Sequence, residues 1–238
     1  MKAYAQQDLT NGLTFDARES MYPSTLEVKT GQQDETGGLT DTTMGYVLTG
    51  EAEIRSNRGC ASMRAGGYFS VAGRFFLDTR GATVILFRRY GFRGQYTVGE
   101  IEKTGRLTYI DGCSDSMLVY PPRLGDAVLN HLHFPEGIKQ TQHTHPSIRL
   151  GVVARGEGTA WGPVKLGDYS ACWEVPLTQG AIFMLDEQEM HSFKTDKGQS
   201  MDVIAFHPDS DWGPTDQAHP MFNRTYLGAD ALSTQPKK

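Results

Sequence analysis

The segment Gln142-His143-Thr144-His145-Pro146 places two histidines one residue apart. If this segment is a strand, residues i and i+2 point to the same face, so His143 and His145 present their imidazoles side by side. Neutral imidazole is a common ligand for zinc, iron, copper and nickel. A third nitrogen must come from another strand, and His191 is the best candidate, because it follows a turn at Gly180 and a further strand. The alternative is that these are solvated or hydrogen-bonded histidines on a strand face.

The histidines are confined to one half of the chain. The first half has none, and all seven lie in the second: His131, His133, His143, His145, His191, His207 and His219. Histidines used only for packing would not segregate in this way. We therefore expect one half to carry a site that the other half lacks.

The chain repeats itself. Residues 44–51 read MGYVLTGE and residues 150–157 read LGVVARGE, so Gly31, Gly45 and Gly50 recur as Gly137, Gly151 and Gly156 at one offset of 106. Two later blocks follow in the same order, at predicted offsets of 113 and 119. GGYFSVAG from Gly66 is answered by QGAIFMLD from Gln179, and residues 84–87 are answered by residues 203–206. Three glycines in one register and two further blocks indicate a duplicated unit.

Both repeats have the composition of short strands. Tyr68–Val71 and Ala82–Phe87 are short apolar runs rich in β-branched and aromatic residues, and helix periodicity is not sustained beyond a turn or two. We predict an all-β protein of two small sandwich or barrel modules, residues 1–105 and 106–238, with the polar stretch Gly91–Gly105 as the connection. The tail from Ser233 is expected to be frayed.

The histidine segments resemble the motifs of the cupin superfamily. The first, G-x5-H-x-H-x3,4-E-x6-G, is matched by Gly137, His143, His145 and Gly156, and the second, G-x5-P-x-G-x2-H, by Gly180 and His191. The resemblance covers roughly residues 25–90 and 125–207. It implies a bicupin, that is, two tandem cupin-like β-barrels of the double-stranded β-helix (jelly-roll) type. It also implies that the three histidines bind one divalent metal inside the second barrel.

Two departures from the motifs shape this expectation. Arg149 stands where the family has its Glu ligand, and a guanidinium cannot coordinate a metal. Asp186 and Gln188 replace the Pro and Gly of the second motif. The resemblance then implies a three-His centre, as in three-His cupin oxygenases of the gentisate and thiol types. The first half has Gly37 and Leu39 at the positions of the histidine pair, and we expect no metal there.

Other polar residues near the motifs allow two interpretations each. Arg149 either points inward and binds a substrate carboxylate or phosphate through paired hydrogen bonds, which we favour, or it is a surface cation beside an acid. One of Glu187, Gln188 and Glu189 either completes the metal shell or acts as acid or base, or all three lie in a solvated loop. His131 and His133 either orient a ligand imidazole or, the commoner case, are satisfied structural residues.

Composition excludes several classes of protein. Hydrophobic residues make up 38% and charged residues 21% of the 238 residues, which is a globular balance. A formal net charge of −5 gives no basic footprint for nucleic acid. No apolar run is long enough to cross a membrane, and residues 1–15 lack the apolar segment of a secretory signal. Cys60, Cys113 and Cys172 form no CxxC pair. We expect a soluble, cytoplasmic protein whose partner is a small molecule, and homodimerisation stays open.

The favoured function is a metal enzyme acting on a small, anionic organic molecule. A three-His Fe(II) centre, with up to three coordination positions open, suits a dioxygenase. Zn, Mn or Ni would also accept three imidazoles. One alternative is a non-redox isomerase, cyclase or lyase that uses the metal as a Lewis acid. The other is a bicupin that binds a small ligand without turnover.

Overall fold

The computed structural model describes residues 1–165 and 168–210. His219 and the tail from Ser233 lie outside these residues. The described chain has two short 3-10 turns, Gln6–Asp8 and Ile110–Gly112, and no α-helix. Its strands are β1 (Lys2–Tyr4), β2 (Thr14–Ala17), β3 (Ser24–Thr30), β4 (Gln33–Thr36), β5 (Thr42–Thr49), β6 (Glu51–Ser56), β7 (Gly59–Arg64), β8 (Gly67–Ala72), β9 (Phe75–Asp78), β10 (Thr83–Arg89), β11 (Thr97–Glu100), β12 (Leu107–Thr108), β13 (Ser114–Val119), β14 (Val128–Phe134), β15 (Arg149–Lys165), β16 (Asp168–Thr178), β17 (Ile182–Leu185), β18 (Ser192–Lys194) and β19 (Met201–His207). The prediction of an all-β fold is confirmed.

The two halves of the chain pair their strands in the same order. In the first half a six-stranded sheet runs β11-β8-β5-β10-β3-β2, and in the second half a larger sheet runs β1-β17-β15-β19-β14-β13-β12. The central strand β5 lies between β8 and β10, as β15 lies between β17 and β19. A four-stranded sheet, β4-β9-β6-β7, completes the first half, and β16 and β18 pair with the distal part of β15 in the second. All of these pairs are antiparallel.

Two equivalent glycines fix the register of the repeat. Gly45 lies opposite Phe69, and Gly151 lies opposite Phe183. A Cβ at either glycine would approach the facing ring to 2.2 Å or 2.3 Å, so the aromatic ring occupies the space that a side chain would need. Phe69 and Phe183 are 114 residues apart, so the predicted offset of 113 for the second block is wrong by one. The offset of 119 for the last block is found, because Leu86 and Ala205 lie opposite these same glycines.

The largest apolar cluster draws on both halves. Phe87 of β10 stacks on Phe206 of β19 with ring centroids 5.6 Å apart, and both rings are fully buried. Leu26, Met44, Leu150 and further apolar residues surround this pair. Each half also has one smaller apolar cluster of its own. Burial of apolar surface between the sheets therefore holds the two halves together.

The N-terminal strand belongs to the sheet of the second half. Residues 2–4 of β1 pair with residues 182–184 of β17 in antiparallel register. This edge strand covers the outer side of β17, which flanks the site described below. Neither of the short helical turns in the described chain is long and apolar enough to cross a membrane.

Candidate metal centre

Two loops bring the predicted ligands together. His143 and His191 form an antiparallel bridge, in which the backbone amide of each donates to the carbonyl of the other at 3.0 Å. The amide of Gln188 donates to the carbonyl of His145 at 2.9 Å. These backbone bonds fix the loop before β15 against the loop before β18. The metal-ligand candidates from both motifs therefore lie side by side.

The histidine pair does not lie on a regular strand, which corrects the assumption behind its prediction. Only His143 takes part in a bridge, the chain bends at Pro146-Ser147, and β15 begins at Arg149. The rings of His143 and His145 are nevertheless 5.0 Å apart, with an interplanar angle of 86°. The i, i+2 spacing still brings the imidazoles together, but they converge edge to face.

The ring nitrogens of the three histidines are arranged for metal binding. The ring of His143 is 4.7 Å from that of His191, and the possible ligand atoms of His143, His145 and His191 all lie within 4.8 Å of one another. Nδ1 of His143 lies 3.0 Å from the carbonyl oxygen of Thr141, and Nδ1 of His191 lies 2.8 Å from that of Glu189. A carbonyl only accepts, so both Nδ1 atoms carry the proton and both Nε2 atoms keep a lone pair.

Burial keeps the imidazoles of His145 and His191 uncharged. It lowers the pKa of His145 to about 2, and the neighbouring Arg149 cation lowers it in the same direction. Burial also lowers the pKa of His191 to about 4. Neutral imidazole is the form that coordinates a metal. These two histidines therefore need no deprotonation near neutral pH before they can bind an ion.

The histidines line a cavity with apolar walls. The cavity is small, with a volume of about 20 Å³, and its walls come from alternate residues of the surrounding strands, including Leu132 and Phe134 of β14 and Phe183 and Leu185 of β17. Such a cavity excludes water and strengthens electrostatic interactions inside it. A wider space lined by Tyr109, His143 and His145 adjoins it. This adjoining space has a volume of about 420 Å³, which is large enough for a small molecule beside the histidines.

Arg149 is buried beside the histidines and lines the same cavity. Its Nη1 donates to Oγ of Ser147 at 2.6 Å and to the carbonyl of Ile148 at 2.9 Å. The same nitrogen lies 3.4 Å from Oδ1 of Asp209, which also accepts a hydrogen bond from Ser147. The structure therefore places the guanidinium inside the protein, next to an internal carboxylate.

His207 is a cavity residue that the sequence reasoning did not select. It stands at the end of β19, and its ring lies 5.8 Å from that of His145. Burial lowers its pKa well below the usual value. The signal was the alternation of Val203, Ala205 and His207, which share the face of β19 that lines the cavity. The sequence does not show which of the two faces of β19 points into the cavity.

Glu187 and Gln188 are not brought into the cavity. Both are exposed on the turn that joins β17 to His191. Gln188 adopts a left-handed backbone with φ of 57°, at the position where the cupin motif has Gly. The turn directs both side chains outward, so the expectation that one of them completes the metal shell or acts as acid or base is not supported by the geometry.

His131 and His133 lie on the other face of β14. Nε2 of His131 is 2.8 Å and Nδ1 of His133 is 2.9 Å from Oδ1 of Asp202. Arg155 donates to the other carboxylate oxygen of Asp202 at 2.9 Å. The pair is a structural network, which is the commoner of the two interpretations given above.

Comparison with solved structures identifies the fold. No protein-family model matches the sequence, and no curated protein matches it. Protein Ylba from E. coli superposes with a TM-score of 0.63 at 14% identity, covering 90% of this chain and 92% of that one. A cupin 2 conserved barrel domain protein from Leptotrichia buccalis gives a TM-score of 0.58 at 12% identity, covering 86% and 95% of the two chains. The chain has a cupin fold.

A third solved structure of this fold is oxalate decarboxylase from Bacillus subtilis, a protein with Mn(II) centres. It superposes with a TM-score of 0.58 at 10% identity over 99% of this chain and 86% of that one. At such identities the likeness concerns the fold.

The equivalent positions of the first half have a different chemistry. In the repeat register, Gly37 and Leu39 replace His143 and His145, and Leu39 is 67% exposed. Residues 72–78, after the second block of the first half, contain no histidine, and Phe75 within them is buried and packs edge to face against Phe69 at 5.7 Å. An aromatic cluster therefore fills this half where the other half has imidazoles.

The donor set of the second half of the cupin fold fits a divalent metal ion. His143 and His191 each keep a lone pair on Nε2, because their Nδ1–H groups donate to backbone carbonyls. Burial keeps His145 and His191 neutral. Three imidazole nitrogens suit several first-row ions, including Fe(II), Mn, Ni and Zn.

Proposed function

We propose that this protein is a metal-dependent cupin enzyme that acts on a small organic anion. His143, His145 and His191 would hold one divalent metal per chain, with Fe(II) favoured and Zn, Mn or Ni as alternatives. The observation that carries the proposal is the convergence of three imidazoles within 4.8 Å in a cavity that also contains the buried cation of Arg149. When bound, the metal supplies Lewis acidity and, as Fe(II), redox chemistry with O2.

Arg149 gives the cavity its preference for an anion. A guanidinium presents parallel N–H donors in a plane, and this fork matches a carboxylate better than the single ammonium of lysine does. A buried cation next to a bound metal disfavours a cationic ligand and favours an anionic one. In the free protein Asp209 and Ser147 partner Nη1, so a substrate carboxylate would compete with Asp209.

The apolar walls of the cavity would keep water away from the reacting groups. Phe134, Phe193 and Leu185 surround the histidines and limit the space for water. A substrate held between Arg149 and the histidines would be oriented at both ends, which fixes its reacting atoms relative to the metal position. His207, beside His145, is neutral, so its two ring nitrogens can offer one hydrogen-bond donor and one acceptor there.

The reaction we favour is a dioxygenase reaction of the three-His cupin type. The support is that Arg149 stands where the motif has its Glu ligand. A three-His centre therefore has one protein ligand fewer than the three-His-one-Glu centre of the motif. A second candidate is a non-redox reaction of the isomerase, cyclase or lyase class. The likeness to oxalate decarboxylase, an enzyme with Mn(II) centres, favours this candidate. A non-catalytic, ligand-binding role is the third outcome that the experiment below distinguishes.

We also propose that the chain consists of two tandem cupin units, residues 1–105 and 106–238, of which the second carries the metal. The common strand order of the two halves and the glycine–phenylalanine pairs support this division. Strand β1 is the exception, because it adds to the sheet of the second half. A homodimer and a cytoplasmic location stay predictions.

The test is metal analysis of protein purified without chelators, followed by O2 uptake with small carboxylates. Saturable O2 consumption in the Fe(II)-loaded protein supports the dioxygenase. Turnover of a carboxylate without O2 uptake selects the non-redox candidate, and ligand binding without turnover selects the binding role. A protein that binds neither a divalent metal nor any carboxylate would contradict the proposal.

A further inference from the structure

One polar side chain inside the metal cavity has no assigned partner. Gln140 is 2% exposed and lines the cavity together with the three histidines and Arg149. Neither Oε1 nor Nε2 of its side chain has a hydrogen-bond partner among the described residues. Most buried polar groups in proteins are hydrogen-bonded, so a buried amide with both atoms unmatched calls for an explanation.

The backbone holds Gln140 in this position. Its amide donates to the carbonyl of Phe193 at 3.0 Å, and the preceding Lys139 forms a bridge with Lys194. Lys139 places its ammonium 4.8 Å from the ring centroid of Trp161, and neither of these residues lines the cavity. Alternation along the segment therefore directs Gln140 toward the histidines.

The fold itself does not require an amide at this position. In the first half the equivalent residue is Asp34, at the offset of 106, and it pairs with Leu77 as Gln140 pairs with Phe193. Asp34 has a charged partner of its own, Lys29, at 3.2 Å. The equivalent strand thus accepts a residue of different chemistry, and the buried, unmatched amide is specific to the half with the metal ligands.

We propose that Gln140 is a substrate-recognition residue whose amide binds an acceptor and a donor that lie side by side on the ligand, as in a primary carboxamide. Nε2 would donate to a ligand carbonyl, and Oε1 would accept from a ligand N–H. The inference rests on the proposed function, since Arg149 binds the carboxylate of the same ligand. The substrate class is then a small carboxylate that carries an amide or an equivalent donor–acceptor group.

Two probes of nearly equal shape test this inference. Oxamate and pyruvate share the carboxylate and the neighbouring carbonyl, and differ in an NH2 group against a CH3 group. Titration of the metal-loaded, full-length protein should give an affinity for oxamate at least roughly tenfold above that for pyruvate, because only oxamate satisfies Oε1. In Gln140→Met the ratio should fall to about threefold or less, while metal content is unchanged.

Gln142→Met is the matched control. This residue is also a glutamine with an unmatched amide, two positions away, but it does not line the cavity. The control should keep the preference of the wild type for oxamate. If Gln140→Met keeps that preference too, or if the control loses it equally, the assignment to Gln140 is wrong. If the wild type binds pyruvate and oxamate equally, the inference fails while the proposed function stands. Failure to bind either probe would contradict both.

The melting temperature of Gln140→Met gives a second test. If Gln140 served only the structure, its replacement would lower the melting temperature. A residue retained for its ligand can be replaced by an apolar side chain of similar shape without loss, so the melting temperature of Gln140→Met without ligand should be unchanged or raised by about 2–4 °C. A clear fall in melting temperature, or failure of this variant to fold, would overturn the inference, because Gln140 would then be needed for the structure.

Discussion

Nη1 of Arg149 lies 3.4 Å from Oδ1 of Asp209, with the two side chains only 4% and 8% exposed. A buried cation needs a partner, and here a buried carboxylate partners the guanidinium that lines the cavity of the three histidines. A substrate anion offers the same kind of group. Binding would therefore exchange one carboxylate for another at the same guanidinium.

Arg149→Ala should weaken the binding of small carboxylates and leave metal content unchanged. Loss of a charge-assisted contact of this kind costs about 2–5 kcal/mol of binding free energy. Arg149→Lys should fall between the wild type and Arg149→Ala, because lysine keeps the charge and loses the planar fork. Ligand titration and metal analysis on both variants check this. Loss of metal in Arg149→Ala would show that the residue supports the metal site instead.

Asp209→Asn should act in the opposite direction to Arg149→Ala. Removal of the internal carboxylate removes the competitor for the guanidinium, so a carboxylate ligand should bind roughly three- to tenfold more tightly. The measurement is the same titration. Equal or weaker binding in Asp209→Asn would mean that the ion pair positions Arg149 and does not compete with the ligand.

His191→Ala and His131→Ala form a matched pair of histidine variants. His191→Ala removes a ligand candidate, so metal affinity should fall by more than the roughly 10–100-fold seen when an outer hydrogen bond to a ligand is lost. His131→Ala should keep the metal, since its imidazole contacts Asp202 on the other face of β14, and should lose about 1–3 kcal/mol of stability. Metal retained at wild-type occupancy in His191→Ala would show that the third ligand has been assigned wrongly.

Asp115 gives the folded protein a pH dependence of its own. Burial raises the pKa of its carboxyl from 3.8 to about 6, although Asn130 donates to it at 2.7 Å and opposes the shift. Because the folded state binds this proton more tightly than the unfolded state, the stabilising contribution is complete below pH 3.8 and is lost as the pH rises through about 6.

Asp115→Asn should remove this dependence. We expect the variant to gain roughly 1–3 kcal/mol relative to the wild type at pH 8 compared with pH 4. Denaturant unfolding of both proteins at the two pH values measures the difference. A constant difference between wild type and variant at both values would show that the carboxyl is not shifted.

Much of the architecture and of the site could be predicted from the sequence. The spacing of His143, His145 and His191 is a local pattern, and the repeat indicates which strands flank the loops that carry it. Tertiary features without a local pattern were missed. The pairing of residues 2–4 with β17 leaves no periodic signal in three residues, and the one-residue error in the second offset became visible only where Phe183 meets Gly151.

The side-chain directions in the loops could not be predicted either. Gln188 takes a left-handed backbone conformation, and the turn exposes both Gln188 and Glu187. Neither the residue types nor their spacing predict this backbone conformation. Gln140 looks in the sequence like any polar residue before a histidine motif. Its importance depends on burial and on the lack of a partner, which are properties of the packed structure.

In the proposed function, three imidazoles of the second half hold one catalytic metal. The most direct measurement is the metal content per chain of the full-length protein, compared with that of a variant carrying His143→Ala and His145→Ala together. We predict a value near one for the wild type and near zero for the double variant, with both proteins folded. A value near two in the wild type, or metal retained by the double variant, would contradict the account.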